Sequence, residues 1–133
     1  MRRLSIMASE LRVNTLKDAS GNNSIATSFV AGGSAKAWAN YAGTGTTLRD
    51  SLNCSSATDH STGNFTITFS SALSDTNYSP SESHEYAFDG ISNQTFAGVD
   101  SMTTTTYRQT FTNYLGTHYD HTLVSIHAMG DLA

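Results

Sequence analysis

Five histidines, His60, His84, His118, His121 and His127, are the residues of this chain best suited to bind a metal ion or to move a proton near neutral pH. The densest grouping is His118-Tyr119-Asp120-His121. On a strand His118 and Asp120 share one side and His121 takes the other, and the spacing fits no helical zinc motif. The expectation is turn and surface histidines, with no metal ligands assigned within one chain. His127 is the one candidate for a site completed on a symmetry axis, where each copy would add a ligand.

Hydrolytic chemistry has raw material but no pattern. Serine, histidine and aspartate are frequent enough to coincide by composition, and no Gly-x-Ser-x-Gly elbow is present. The carboxylates Asp50, Asp59, Asp75, Glu82, Glu85, Asp89, Asp100 and Asp120 offer candidates for a glycosidase pair. Their separation in space would decide that chemistry. Gly43-Thr44-Gly45 lacks the following helix that would present N–H groups to a phosphate, so it reads as a turn. Trp38, Tyr78, Tyr86, Tyr107, Tyr114 and Tyr119 are able to stack on sugar rings, although most belong to a core or an interface. The reading is a protein that is not an enzyme, with no catalytic residues and no cofactor.

Bulk properties narrow the partners. A net charge of −4 at pH 7 provides no long-range attraction to phosphate backbones or anionic lipid, which argues against nucleic acid and against membrane insertion. The lone Cys54 rules out an intramolecular disulfide and a cysteine-based zinc site in one chain, and predicts a buried, inert thiol. The opening Met1-Arg2-Arg3-Leu4-Ser5-Ile6-Met7 has a basic start without the apolar run of an export signal, and Met7 is an alternative start.

The elements that must position these residues are strands. Only 14% of residues are charged, and more than a quarter are Ser or Thr, a composition that favours strands and turns. Leu11, Val13 and Thr15 alternate with Arg12, Asn14 and Leu16 up to a turn at Asp18–Asn23. Ile25, Thr27 and Phe29 alternate again before Gly32-Gly33, so the first thirty or so residues read as an extended arm or hairpin. An isolated two-stranded element is marginal in water, which means such an arm needs a partner. Leu48, Asp50 and Leu52 keep a two-residue period into Cys54. The clearest strand places Phe65, Ile67 and Phe69 on one face and Thr66 and Thr68 on the other.

Further along, Pro80 marks an edge strand or loop. Tyr86 to Asp100 reads as two short strands or a strand and a loop, and Met102 to Tyr114 as a Thr-rich strand with Tyr107, Gln109 and Phe111 on one face. Thr122, Val124, Ile126 and Ala128 form a last alternating strand. The fold class expected is all-β: an antiparallel β-sandwich, jelly-roll-like, with an extended N-terminal arm. Residues 1–33 form the arm or docking segment, and 34–133 the sandwich domain. Leu11, Val13, Leu16, Ile25 and Phe29 are the assembly residues of the arm. Phe65, Ile67, Phe69, Phe111, Val124 and Ile126 are the expected core.

Several segments carry a resemblance. Ser9-Glu10-Leu11-Arg12-Val13-Asn14-Thr15-Leu16-Lys17-Asp18-Ala19-Ser20-Gly21-Asn22-Asn23-Ser24 resembles the N-terminal segment of tail-fibre-like proteins of marine tailed bacteriophages, of the cyanophage or pelagiphage type. Gly33-Ser34-Ala35-Lys36-Ala37-Trp38-Ala39-Asn40, Arg49-Asp50-Ser51-Leu52-Asn53, the Thr62-Gly63-Asn64-Phe65 turn, Ala72-Leu73-Ser74-Asp75-Thr76-Asn77-Tyr78 and Val124-Ser125-Ile126 are similar to the same group. The resemblance implies a virion structural protein, tail-fibre-like or knob-like, assembled in the host cytoplasm as a homotrimer. Its partners would be other tail or capsid proteins, with host surface polysaccharide as a candidate contact. The chain has no repetitive shaft, which leaves a capsid decoration protein as the alternative and a glycan-degrading enzyme as a third reading.

Overall fold

The computed structural model describes residues 12–85 and 95–133. Leu11 and the segment from Tyr86 to Gln94 lie outside the described residues. The elements in chain order are β1 (Thr15–Lys17), β2 (Ser24–Ala26), α1 (Thr27–Gly33), β3 (Ala35–Ala42), β4 (Thr47–Leu52), β5 (Cys54–Ser61), β6 (Asn64–Phe69), β7 (Ser79–His84), β8 (Thr95–Met102), β9 (Thr106–Asn113) and β10 (Val124–Met129).

Strands β3 to β10 form two packed four-stranded antiparallel sheets, ordered β4-β3-β10-β7 and β5-β6-β9-β8. The protein is therefore an all-β sandwich. Its two layers match the strand count of a jelly roll, while its connectivity is its own: the β3–β4, β5–β6 and β8–β9 hairpins each stay within one sheet.

Alternation along each strand builds the core. In β6, Phe65, Ile67 and Phe69 point inward, and in β9 Tyr107, Gln109, Phe111 and Asn113 do so. Ala37, Ala39 and Tyr41 of β3 and Val124, Ile126 and Ala128 of β10 face them from the other sheet. Tyr41 meets Phe65 edge-on with ring centroids 5.8 Å apart, and Phe69 meets Tyr78 likewise at 5.7 Å, so aromatic pairs link the layers. All six residues expected in the core are at most 4% exposed.

Two turns have identifiable causes. Gly63, at φ +69°, closes β5 onto β6 where a Cβ would sit 2.6 Å from the Phe111 carbonyl oxygen, so only glycine fits. The chain crosses from the first sheet to the second at Asn53, whose backbone is left-handed (φ +54°) and whose side chain accepts from Ser71 N–H at 2.7 Å and donates to the Ser71 carbonyl at 3.1 Å. The continuous run expected from Leu48 into Cys54 is thus broken into strands of opposite layers.

Two further expectations are corrected. The Thr-rich run from Met102 is not one strand: Thr103 to Thr105 form the β8–β9 turn, where Thr103 Oγ1 accepts from the N–H of Thr105 and Thr106. Phe29 is helical, not extended. Thr27 fastens the start of α1 to the residue just before β1, its N–H and hydroxyl both donating to the Asn14 carbonyl, and three alternating residues were too short a pattern to exclude a turn of helix.

Candidate functional site

The first candidate is the arm. Its turn is well made: Asp18 accepts from Asn22 N–H at 3.0 Å and from Asn23 Nδ2 at 2.7 Å, and the Asn23 amide holds the Asp18 carboxyl below its ordinary range. Gly21 supplies the left-handed residue. No such care is taken of apolar surface. Val13, Leu16, Ile25, Phe29 and Val30 are all exposed, Phe29 by 74%, and α1 buries no side chain. A shallow groove of about 300 Å³ runs along Leu16, Lys17, Asp18, Asn23, Ser24 and Ile25. Three-residue strands and a seven-residue helix are too short to be stable through their own hydrogen bonds.

The second candidate lies at the open side of the sandwich, where edge strand β7 of one sheet faces edge strand β8 of the other. A cleft of about 500 Å³ there is lined by Glu82, Ser83, His84, Thr95, Phe96 and Ala97. Pro80 sits on the same edge strand, where a missing N–H costs no ladder bond. Inside the mouth Glu82 accepts from the Tyr107 hydroxyl at 2.7 Å. Burial pushes the Glu82 carboxyl up, against that hydrogen bond, and pushes both the Tyr107 and Tyr41 hydroxyls far above the usual phenol range. Gln109, fully buried, donates to the Tyr41 hydroxyl.

Beside these groups His84 of β7 and His121 of the β9–β10 loop lie with ring centroids 4.3 Å apart, both packed against Phe111. The Thr95 hydroxyl of β8 sits between them, 2.9 Å from His84 Nε2 and 3.0 Å from His121 Nε2. His121 is only 2% exposed, and burial together with the neighbouring His84 holds its imidazole below the ordinary value, partly offset by Glu85 and Asp120. Side-by-side rings differ from metal-bound imidazoles, which radiate from the ion. Both Nε2 atoms and the hydroxyl are already engaged with one another, an arrangement that holds protons.

The loop that carries His121 is pinned from several sides. Asp120 accepts from Gly63 N–H at 2.6 Å, Glu85 accepts from the N–H and hydroxyl of Thr122, and Gly43 N–H donates to the His121 carbonyl at 2.9 Å. Thus the His118–His121 segment supplies one turn anchor, one buried histidine and an exposed His118 whose Nδ1 lies 3.3 Å from the Thr110 hydroxyl.

The remaining sites singled out in the sequence are scattered. His60 bonds Thr66 on the surface of the second sheet, and His127 points outward from β10. Among the described residues no three His, Cys, Asp or Glu side chains gather closely enough to hold a metal ion. Cys54 is buried, its Sγ donating to the Trp38 carbonyl, and burial raises its thiol to about 11. Sequence reasoning missed the His84–His121 pair because 37 positions separate them and His121 lies in a loop, where no strand pattern assigns it a face. The one available signal was position: His84 shares the parity of Glu82 and Pro80 on β7, the inward set.

No family model, no curated protein and no solved structure matches this chain. No helix among the described residues is long and apolar enough to cross a membrane.

Proposed function

We propose that this chain is a non-enzymatic structural protein of a tailed-bacteriophage particle, a fibre- or knob-like appendage module whose arm docks and whose sandwich is displayed. The observation that carries the reading is the contrast at residue 34: among the described residues before it, every large apolar side chain is exposed, and after it the buried core begins. A module of this build has its attachment and its display in separate parts of one chain. The low charge, the Ser/Thr-rich strands and the sequence resemblance point the same way. A closed oligomer, with three copies pooling their arms, covers Leu16, Ile25, Phe29 and Val30 at the least cost in new sequence.

The test is the solution mass of the full chain and of a chain lacking residues 1–33, measured by light scattering at two concentrations. The expected result is about three chain masses for the full protein and one for the shortened one, with the sandwich folded in both. A monomeric full chain that sediments with purified capsids would replace the appendage by a capsid decoration protein. Release of reducing ends from host polysaccharide would overturn both.

A further inference from the structure

We propose that the His84–Thr95–His121 cluster is an acid-sensitive latch, holding the β7 edge of one sheet to the β8 edge of the other and releasing it when His121 takes up a proton. The three residues come from three separate elements and bridge the side of the sandwich at which the cleft opens. No backbone ladder joins β7 to β8, since they belong to different sheets. Among the described residues the cluster provides a hydrogen-bonded link between them.

The direction of each bond follows from what surrounds it. Among the described residues His84 Nδ1 is buried with no hydrogen-bond partner. A bare lone pair there is tolerable, whereas an N–H with nothing to donate to is expensive. His84 therefore carries its proton on Nε2 and donates to Thr95 Oγ1. Thr95 has one hydroxyl proton, which goes to His121 Nε2, so each of the two bonds holds one proton.

Acid breaks this order at one atom. A proton added to His121 lands on Nε2, the acceptor, so two N–H groups now point at a single hydroxyl oxygen and the Thr95 proton has lost its place. The new cation also lies against His84 and the apolar ring of Phe111. Glu85 and Asp120 pull the other way on His121, while Glu82 acts on His84. Glu82 on β7 is already bonded to Tyr107, Glu85 at the end of β7 to Thr122, and Asp120 to Gly63 N–H. No other charged group of the described residues faces the pair, apart from Arg49, which reaches the Thr122 carbonyl and lies beside Glu85.

The sign agrees with the physical cause. Burial and His84 outweigh the carboxylates and hold His121 below the ordinary histidine value of 6.5. The stability it contributes is complete above that value and is lost as pH falls through the lower, folded value.

Hydrogen exchange on the full chain, expressed as protection factors at about pH 7.5 and about pH 5, tests this against the histidine titration followed by NMR. The expected result is a fall of roughly tenfold in the protection of β7 and β8, coincident with His121 protonation, with β5 and β6 unchanged. In His121→Gln, whose amide reaches the Nε2 position without titrating, the β7 and β8 protection should be flat across the same range. If that variant does not fold, His84→Gln, which leaves His121 as the titrating ring and removes the neighbour that helps hold it down, should keep the fall in β7 and β8 protection and move it to higher pH. Uniform loss over all strands, loss that does not follow His121 in the wild-type chain, or undiminished protection at the lower pH would each overturn the latch.

Discussion

The arm and the sandwich are built from the same strand-forming residues, yet they solve opposite problems. In the sandwich, residues two apart enter a shared interior, and Phe65, Ile67, Phe111, Val124 and Tyr41 all fall to 0% exposure. In the arm the hydrogen bonds are equally well formed around Asp18, but the apolar groups stay exposed. Good turn chemistry is thus sufficient to shape a hairpin and insufficient to hold one. What separates the two regions is a second layer, which among the described residues only the sandwich has.

The sharpest way to break this comparison is to place a charge inside the layered half. Ile67→Asp buries a carboxylate with no partner and should abolish folding, read as loss of the cooperative thermal transition, while the milder Ile67→Ala should cost about 2–5 kcal/mol in denaturant unfolding. Gly63→Ala comes next. It forces a side chain into left-handed backbone against the Phe111 carbonyl, and should lower stability by at least about 1 kcal/mol. Either substitution leaving the melting curve unchanged would mean that the core is not where stability resides.

Electrostatic changes are smaller and differ in sign. Glu85, held below its ordinary value by Thr122, contributes stability that is present above pH 4.5 and lost as pH falls through its folded value, so Glu85→Gln should reduce stability at neutral pH and flatten its acid limb. Glu82 has its carboxyl raised by burial, so its charge disfavours the fold above the ordinary value. Glu82→Gln, which still accepts from Tyr107, should raise the neutral-pH melting temperature slightly. Urea titrations at pH 7 and at pH 4 of both variants distinguish the two signs.

The smallest effect belongs to the arm. Phe29→Ser should leave the unfolding of the sandwich within about 0.5 kcal/mol of the wild type and lower only the self-association measured by light scattering. A large loss of sandwich stability would show that the arm packs on its own chain in solution.

Much of the sandwich was legible because its signal is local. Phe65, Ile67 and Phe69 declare a face by alternation alone, and Val124, Ile126 and Ala128 do the same. The corner at Asn53 was hidden because the apolar period continues through it, and what changes is the layer, not the spacing. The interior histidines were hidden for a related reason. Thr95, His84 and His121 each look like surface residues in their own segment, and only the closing of β7 over β8 makes them neighbours. The arm's apolar residues were legible as a group, while the helix at Phe29 was not, since seven residues are too few to show a helical period.

Cys54 stands at the seam where β5 leaves the corner, its thiol buried and raised to about 11, so little of it is thiolate while the fold is closed. As the only cysteine of the chain it is a built-in clock for the separation of the two layers. A thiol reagent added to the native protein will label it no faster than the sheets part, so the labelling rate counts openings of the sandwich without any engineered probe.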